Sequence, residues 1–138
     1  MSIKSLAHVC IKTTDLDATT KFYCGTLGLT KVFNFTRKGK IIGFYMNSGN
    51  RTFVEVFIAD EIEKIGKQPL NHFCLETDSI EALRKKVLEH GYEAREIHLG
   101  VDNSYQFWMK DPNGMDMEFH QYTETSTQFS GQDVEANW

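Results

Sequence analysis

The feature that most constrains this chain is an internal repeat. The segment from His8 to Ala18 reads HVCIKTTDLDA, and the segment from His72 to Ala82 reads HFCLETDSIEA. Histidine, cysteine, threonine and alanine recur at matching places, at a constant offset of 64 residues (8 to 72 and 18 to 82). The unit is longer than a solenoid repeat and occurs only twice, so the pattern predicts two copies of one module within a single domain.

Each copy begins with an alternating stretch of strand type and then meets a helix start. The helix of the first copy is predicted to begin after Thr14 or Asp15, and the helix of the second after Asp78 or Ser79, because these side chains suit the N-cap position. Glycine follows both helical segments, as is common where a helix ends.

Three strand-like segments follow each helix. They read TKVFNFT, KIIGFYMN and TFVEVFI in the first copy, and EAREIHL, YQFWMK and MDMEFHQY in the second. The turns NSGN (47–50) and DPNG (111–114) separate the last two segments of each copy. We therefore predict an α+β fold of two tandem βαβββ modules, at about 3–58 and 68–122, with a linker at 59–67, partly helical, and a polar C-terminal tail at 123–138.

Polar residues recur in the repeat as well as apolar ones. Glu55 in FVEVF and Glu118 in DMEFH lie between apolar residues of the last strand of each copy, at an offset of 63 (55 to 118). If each module forms a curved sheet with its helix outside, the faces that carry His8, His72 and the two glutamates can line the concave side. Duplicated packing explains repeated apolar residues, whereas two imidazoles and two carboxylates together are typical of a divalent metal site.

Composition excludes several classes of function. The formal net charge of −4 provides no basic patch of the kind that attracts nucleic acid. No apolar run is long enough to span a bilayer and no leader is recognised, so a cytoplasmic protein is expected. The three cysteines, an odd number without CxxC spacing, argue against a disulfide framework and a zinc knuckle.

In these segments, residues 3–122 resemble the vicinal oxygen chelate superfamily, which includes glyoxalase I, extradiol dioxygenases, methylmalonyl-CoA epimerase, fosfomycin-resistance enzymes and bleomycin-resistance proteins. The resemblance implies paired modules that form a curved, barrel-like mixed sheet around a central metal cavity. It also implies one divalent ion (Zn, Ni, Co, Mn or Fe) held by His8, Glu55, His72 and Glu118. A His-Glu-His-Glu set is most similar to that of glyoxalase I.

The resemblance to glyoxalase I implies a lyase or isomerase that moves a proton between the carbons of a small vicinal-oxygen substrate through a metal-stabilised enediolate. Glu118 or Glu55 would be the base, and the repeat does not choose between them. Lys12 stands where such enzymes usually carry an arginine that contacts glutathione, and the asparagine usual after the first metal glutamate has no obvious counterpart. A sugar, a keto acid or another small oxygenated compound is therefore as suitable as glutathione.

Further substrate contacts are expected from Lys12, His120, Trp108 and Phe44, and the superfamily implies a homodimer. An extradiol-type dioxygenase, an epimerase or a thiol transferase of the same superfamily is an alternative function. A resistance protein that only binds a small molecule is an alternative of another class.

Overall fold

The computed structural model describes residues 3–62 and 69–138, so most of the predicted linker lies outside the described residues. The chain divides into two compact units, Met1–Ile65 and Gly66–Trp138. Each unit contains one four-stranded mixed sheet, and each follows the order β-α-β-β-β that the repeat predicts. Neither sheet closes into a barrel, and the α+β class is confirmed.

The first unit contains four strands and one short helix that continues as a π-helical segment, Lys21–Thr26. Its sheet has the order β1-β4-β3-β2, with β1 parallel to β4 and the other pairs antiparallel. The elements are β1 (His8–Thr13), α1 (Leu16–Thr20), β2 (Thr30–Arg37), β3 (Lys40–Gly49) and β4 (Thr52–Ile58).

Local chemistry explains where the first helix begins and what it covers. The Asp15 carboxylate caps α1 by accepting hydrogen bonds from the backbone N–H groups of Asp17 and Ala18, at 3.0 and 2.9 Å. In the π-helical segment, Phe22 and Tyr23 are fully buried. Their core partners on the sheet alternate along β3 and β4, and they include Phe44, Met46, Val54 and Val56.

The second unit repeats this architecture with the sheet order β5-β8-β7-β6. Strand β5 is parallel to β8, and the remaining pairs are antiparallel. The elements are β5 (Phe73–Glu76), α2 (Ile80–Glu89), β6 (His98–Leu99), β7 (Tyr105–Lys110) and β8 (Asp116–Gln121), followed by a short helix α3 (Thr127–Ser130) in the tail. Ser79 caps α2, which packs on the buried face of β7 and β8.

Two sequence predictions were wrong in detail. The turn before β4 is not NSGN (47–50), because β3 continues to Gly49 and the chain reverses at Asn50 and Arg51, which both have positive φ as a two-residue hairpin requires. The strand predicted over 93–99 is reduced to β6. The Arg84 guanidinium donates to the carbonyl oxygens of Arg95 and Ala94, at 2.7 and 3.4 Å, and thereby replaces part of the ladder.

The first part of the tail is ordered against the loop that precedes β7. Thr123 Oγ1 donates to the carbonyl oxygen of Asn103 at 2.7 Å, and the Ser104 and Ser126 hydroxyls are 3.0 Å apart. Phe129 packs edge-on against Tyr122, at 5.1 Å between ring centroids. Among the described residues, no helix is long and apolar enough to cross a membrane.

Candidate metal centre

The first unit brings His8 and Glu55 together on one face of its sheet. Strand β1 lies parallel to β4, and His8 is in register with Phe53, so its side chain lies beside that of Glu55 two residues further along. His8 Nε2 and Glu55 Oε2 are 3.6 Å apart. Both residues remain partly open to solvent, with 41% of the His8 side chain and 18% of the Glu55 side chain exposed.

The second unit forms the corresponding pair from His72 and Glu118. His72 directly precedes β5, which pairs with β8 so that Cys74 is in register with Glu118. His72 Nε2 and Glu118 Oε2 are 3.3 Å apart. The His72 ring also meets the Trp108 indole edge-on, at 4.5 Å between ring centroids.

Glu118 has a second imidazole partner that Glu55 does not share. His120 Nε2 lies 2.8 Å from Glu118 Oε1. Because an ionised carboxylate can only accept, the nitrogen that faces it carries the proton. His120 Nδ1 in turn lies 3.9 Å from Asp102 Oδ2. The two oxygens of Glu118 are therefore divided between His72 and His120.

Asp102 is held in place by the loop and the tail. Its Oδ1 accepts from the backbone N–H of Ser104 at 3.2 Å, and its Oδ2 accepts from the Gln128 side-chain amide. The carbonyl oxygen of Asp102 accepts from the N–H of Thr127 at 2.9 Å. The ordered tail thus fixes a carboxylate behind His120.

These contacts shift proton affinities in the second unit. The hydrogen bond to Glu118 raises the pKa of His120 against the opposing effect of burial, and the charges of Glu118 and Asp102 add to the rise. Burial alone would raise the pKa of Asp102, but hydrogen bonds from Gln128 and Ser104 outweigh it, and that pKa is lowered.

The negative charges of Glu118 and Asp102 also act on the Cys74 thiol. Although the residue is exposed as a whole, partial burial of its thiol and the charges of Glu118 and Asp102 raise the pKa of Cys74 to about 12. The thiol is therefore protonated at neutral pH, which does not suit a nucleophile.

The donor set fits a divalent metal ion. Imidazole nitrogen and carboxylate oxygen bind ions such as Zn²⁺ at about 2.0–2.2 Å, so two ligands at right or tetrahedral angles would be about 3.0–3.4 Å apart. The nitrogen–oxygen distances in the two pairs are 3.6 and 3.3 Å. The pair of the second unit lies within the separation that two ligands of one ion require, and the pair of the first unit is about 0.2 Å wider.

The second unit contains another possible ligand group. Cys74, Glu118 and His120 each present one ligand atom, and these atoms lie within 4.8 Å of one another. An ion at this group would exchange His72 for a thiolate, which would favour softer metals. The raised pKa of the thiol opposes this arrangement, since a thiol must lose its proton to bind an ion.

The substrate contacts predicted from the sequence fall in different places. Lys12 is exposed on the His8 face of β1, and Trp108 is in register with Glu118. Phe44, by contrast, is 1% exposed and lies in the core on the opposite face from Glu55. Its neighbour Tyr45 is in register with Glu55 and occupies the place beside the pair.

Two residues near the pairs were missed by sequence reasoning. Tyr45 could have been found, because the offset of 63 that relates Glu55 to Glu118 also relates Tyr45 to Trp108 (45 to 108). Asp102 carried no such signal, since it lies in a loop outside the strand alternation.

A cavity of about 740 Å³ lies next to Trp108 in the second unit. Its walls are the segment 91–95, the strand residues 108–110 and Asp116. His72 and Glu118 are not among its lining residues, so it is a cavity separate from the pair.

Comparison with known proteins gives a family match over most of the chain. The model described as the Glyoxalase/Bleomycin resistance protein/Dioxygenase superfamily matches residues 5–119. No curated protein sequence matches the chain significantly.

Several solved structures share the fold. A glyoxalase family protein from Enterococcus faecalis is 24% identical, with a TM-score of 0.73 over 87% of this chain and 99% of that chain. A lactoylglutathione lyase from Agrobacterium tumefaciens is 18% identical, with a TM-score of 0.66 over 88% of this chain and 96% of that chain. An antibiotic binding protein from a Streptomyces species is 19% identical, with a TM-score of 0.67 over 89% of this chain and 99% of that chain.

Proposed function

Because this chain belongs to the glyoxalase/bleomycin resistance protein/dioxygenase superfamily, we propose that it is a divalent-metal-dependent lyase or isomerase of the glyoxalase I type. Its substrate is a small molecule with two vicinal oxygens. The observation that carries the proposal is the repeated histidine–glutamate pair, with nitrogen–oxygen distances of 3.6 and 3.3 Å in the two units. Superfamily members commonly bind a divalent ion, and the donor atoms here have the chemistry for one.

The proposed ligands of the divalent ion are the two histidines and the two glutamates of these pairs. His8 Nε2 and His72 Nε2 would be the nitrogen ligands, and Glu55 and Glu118 would each supply a carboxylate oxygen. Zn, Ni, Co, Mn and Fe are all compatible with this set. When bound, such an ion supplies Lewis acidity that stabilises negative charge on substrate oxygens.

The residues of the chain then perform the proton transfer. A carboxylate oxygen of Glu55 or Glu118 accepts the proton from the carbon next to the substrate carbonyl, and the same carboxyl group returns it to the neighbouring carbon. The bond from hydrogen to the first carbon breaks and a bond to the second forms, while the hydroxyl proton on the first carbon moves to the oxygen on the second, so no oxidant or reductant is consumed. His120 donates to Glu118 and holds that carboxylate in one orientation.

The first test combines metal content with proton exchange. The metal-free protein is reconstituted with Zn²⁺, Ni²⁺ or Mn²⁺, its bound metal is measured, and exchange of the carbon-bound protons of dihydroxyacetone is followed by NMR in D₂O. Turnover of methylglyoxal with glutathione is measured in parallel. We expect near-stoichiometric metal and metal-dependent exchange.

Glu55→Gln is the informative variant, and Glu89→Gln, an exposed residue of α2, is the matched control. If only the Glu55 variant loses bound metal or proton exchange, the result supports the proposed metal centre. Exchange without glutathione turnover would retain the enzyme class and reject glutathione as co-substrate. Failure to bind any of the three metals would reject the enzyme and favour a small-molecule-binding protein.

We also propose that the protein is a homodimer, as is common in the superfamily. Light scattering during size-exclusion chromatography at micromolar concentration would then give twice the mass of one chain. A monomer at all accessible concentrations would contradict this.

A further inference from the structure

Five aromatic rings cover the sheet face of the first unit that carries Glu55. We call this surface the aromatic face, and it consists of Phe33, Phe35, Tyr45, Phe53 and Phe57. Tyr45 lies at its centre, stacked on Phe33 at 5.0 Å and tilted against Phe53 at 5.1 Å between ring centroids. Phe35 meets Phe57 at 4.8 Å. The rings therefore form one continuous surface.

This surface reaches the predicted metal ligands. Tyr45 is in register with Glu55, and the His8 ring meets Tyr45 edge-on at 5.7 Å. Gly43 allows the surface to continue, because a side chain there would collide with the Phe57 ring, 2.8 Å from the position of a Cβ. A molecule that places its oxygens beside His8 and Glu55 would have aromatic rings directly next to it.

The hydrophobic core does not require these rings. The core of the first unit lies on the other face of β3 and β4, where Met46, Val54 and Val56 are at most 1% exposed. Phe33 is 46% exposed, and the other four rings are half-buried. A cluster of open aromatic rings is unusual on a soluble surface and is typical of a binding site.

The second unit shows that the repeat itself does not impose aromatic residues here. At the offset of 63, the counterparts of the five aromatic positions are mostly polar or charged, with one aromatic residue, and they are Glu96, His98, Trp108, Asp116 and His120. The strand registers support this offset. Tyr45 is in register with Glu55, as Trp108 is with Glu118. Gly43 is in register with Phe57, as Gln106 is with His120. Equivalent faces therefore carry different chemistry.

We propose that the aromatic face binds an aromatic group of the substrate, so that the substrate is an aryl compound with two vicinal oxygens, such as an aryl α-hydroxy ketone with or without a carboxylate. The inference rests on the proposed metal centre for the position of the oxygens. Stacking on Tyr45 and Phe53 supplies affinity for the ring. Lys12, exposed in register with Phe57, supplies one positive charge for a carboxylate. A peptide such as glutathione, with several charges and no ring, matches this surface poorly.

Two α-keto acids that differ only in the group on the keto carbon test the inference. Benzoylformate and pyruvate have the same keto and carboxylate oxygens, but the first carries a phenyl ring and the second a methyl group. Their affinities for the metal-loaded protein are measured by isothermal titration calorimetry. We expect benzoylformate to bind about tenfold more tightly, which corresponds to about 1.4 kcal/mol.

Tyr45→Leu and Phe53→Leu each remove one ring and keep an apolar side chain. We expect both to lower the ratio of the affinity for benzoylformate to the affinity for pyruvate toward one. Phe129→Leu, which changes a 68% exposed ring in the tail, is the control and keeps the ratio. Circular dichroism checks that each variant folds. If one of the two face variants does not fold, the other still tests the inference.

The outcomes separate this inference from the proposed function. Bound metal with equal affinity for the two ligands, or a preference that both face variants leave unchanged, overturns the aromatic substrate and leaves the metal centre intact. A phenyl preference lost in the face variants of a protein that binds no metal supports the aromatic face and overturns the metal centre. If the face variants instead turn a dimer into a monomer and no preference exists, a second copy covers the face and the inference is wrong.

Discussion

Glu55 and Glu118 stand at equivalent places in the repeat, yet only one of them has a polar partner on its own strand face. His120 Nε2 lies 2.8 Å from Glu118 Oε1, whereas the residue two places after Glu55 is Phe57, which has no hydrogen-bonding group. A ligand held by a second hydrogen bond is better oriented for a metal ion. The two glutamates are therefore chemically distinct despite their common origin.

Replacing His120 by its counterpart in the first unit tests this difference. His120→Phe removes the donor to Glu118, and we expect the affinity for Zn²⁺ to fall about 10–100-fold, as is usual when a partner of a metal ligand is lost. Competition with a chromophoric chelator measures the affinity. His98→Phe, the same change at an exposed residue of β6, is the control, and His120→Gln should restore part of the affinity. Equal affinities in wild type and His120→Phe would refute the role.

A second prediction concerns the packing around Gly43. A methyl group at this position would meet the Phe57 ring and the carbonyl oxygen of Val56. We expect Gly43→Ala to lower the free energy of unfolding by about 1–3 kcal/mol, as overpacking does, measured by urea denaturation. Gly25→Ala is the control, since nothing lies within 4 Å of a Cβ there, and its effect should be small or stabilising. A neutral Gly43→Ala would show that the Phe57 ring and the backbone at Val56 can both move aside, and it would contradict the prediction.

Among the elements, the tail and the loop before β7 depend on each other. Asp102 accepts hydrogen bonds from Ser104 and Gln128, and it faces His120 at 3.9 Å. The tail was predicted only as a polar segment, because its order comes from contacts with a loop about 20 residues earlier, such as Thr123 to Asn103 and Ser126 to Ser104. Hydroxyl and amide side chains make these contacts, so the hydropathy pattern does not predict them.

The lowered pKa of Asp102 predicts how this contact responds to acid. A carboxylate whose pKa is lower in the folded state contributes stability above its unfolded value of about 3.9, and the contribution is lost as pH falls through the lower folded pKa. We therefore expect Asp102→Asn to be less stable than wild type at pH 6, with the difference shrinking below pH 4. Urea denaturation of the metal-free protein across this range measures the difference.

Asp133→Asn changes an exposed carboxylate of the same tail and is the control for the acid experiment. It should differ little from wild type at either pH. A stability difference between wild type and Asp102→Asn that does not depend on pH would contradict the linkage.

For the whole molecule, we expect a bound metal ion to stabilise the folded state, and the proposal takes His8 and His72 as ligands that this effect requires. An ion at 100 times its dissociation constant stabilises the folded state by about 2.7 kcal/mol, or roughly 5–10 °C in Tm for a chain of this size. We expect His8→Ala and His72→Ala each to abolish most of this metal-dependent shift in Tm, measured by calorimetry. His90→Ala, in the last turn beyond α2, should retain it.

The same experiment distinguishes the two possible ligand groups. If the ion were held by Cys74, Glu118 and His120 alone, the shift would survive in His8→Ala and disappear in Cys74→Ser. We expect the opposite result, because burial and the charges of Glu118 and Asp102 raise the pKa of the Cys74 thiol and make its deprotonation by a metal ion more costly.

Much of this protein was determined by its sequence alone. The two βαβββ units, the helix starts at Asp15 and Ser79 and the strand positions of Glu55 and Glu118 follow from repeat, capping and alternation. Each of these depends on residues only a few places apart, or on direct comparison of the two copies. In the structure, Glu55 and Glu118 each lie beside the histidine of their own unit, because β1 pairs with β4 and β5 with β8 in the same way.

Only the tertiary structure decided the rest. The register between β3 and β4 places Tyr45, and not Phe44, beside Glu55, whereas alternation along β3 alone allows either ring and only the offset to Trp108 indicates Tyr45. The contact of Asp102 with His120 and the shortening of β6 by Arg84 depend on loop geometry and side-chain reach between distant segments. Alternation describes the neighbours along one strand, whereas the neighbours across the sheet and from the loops are set by how the whole unit packs.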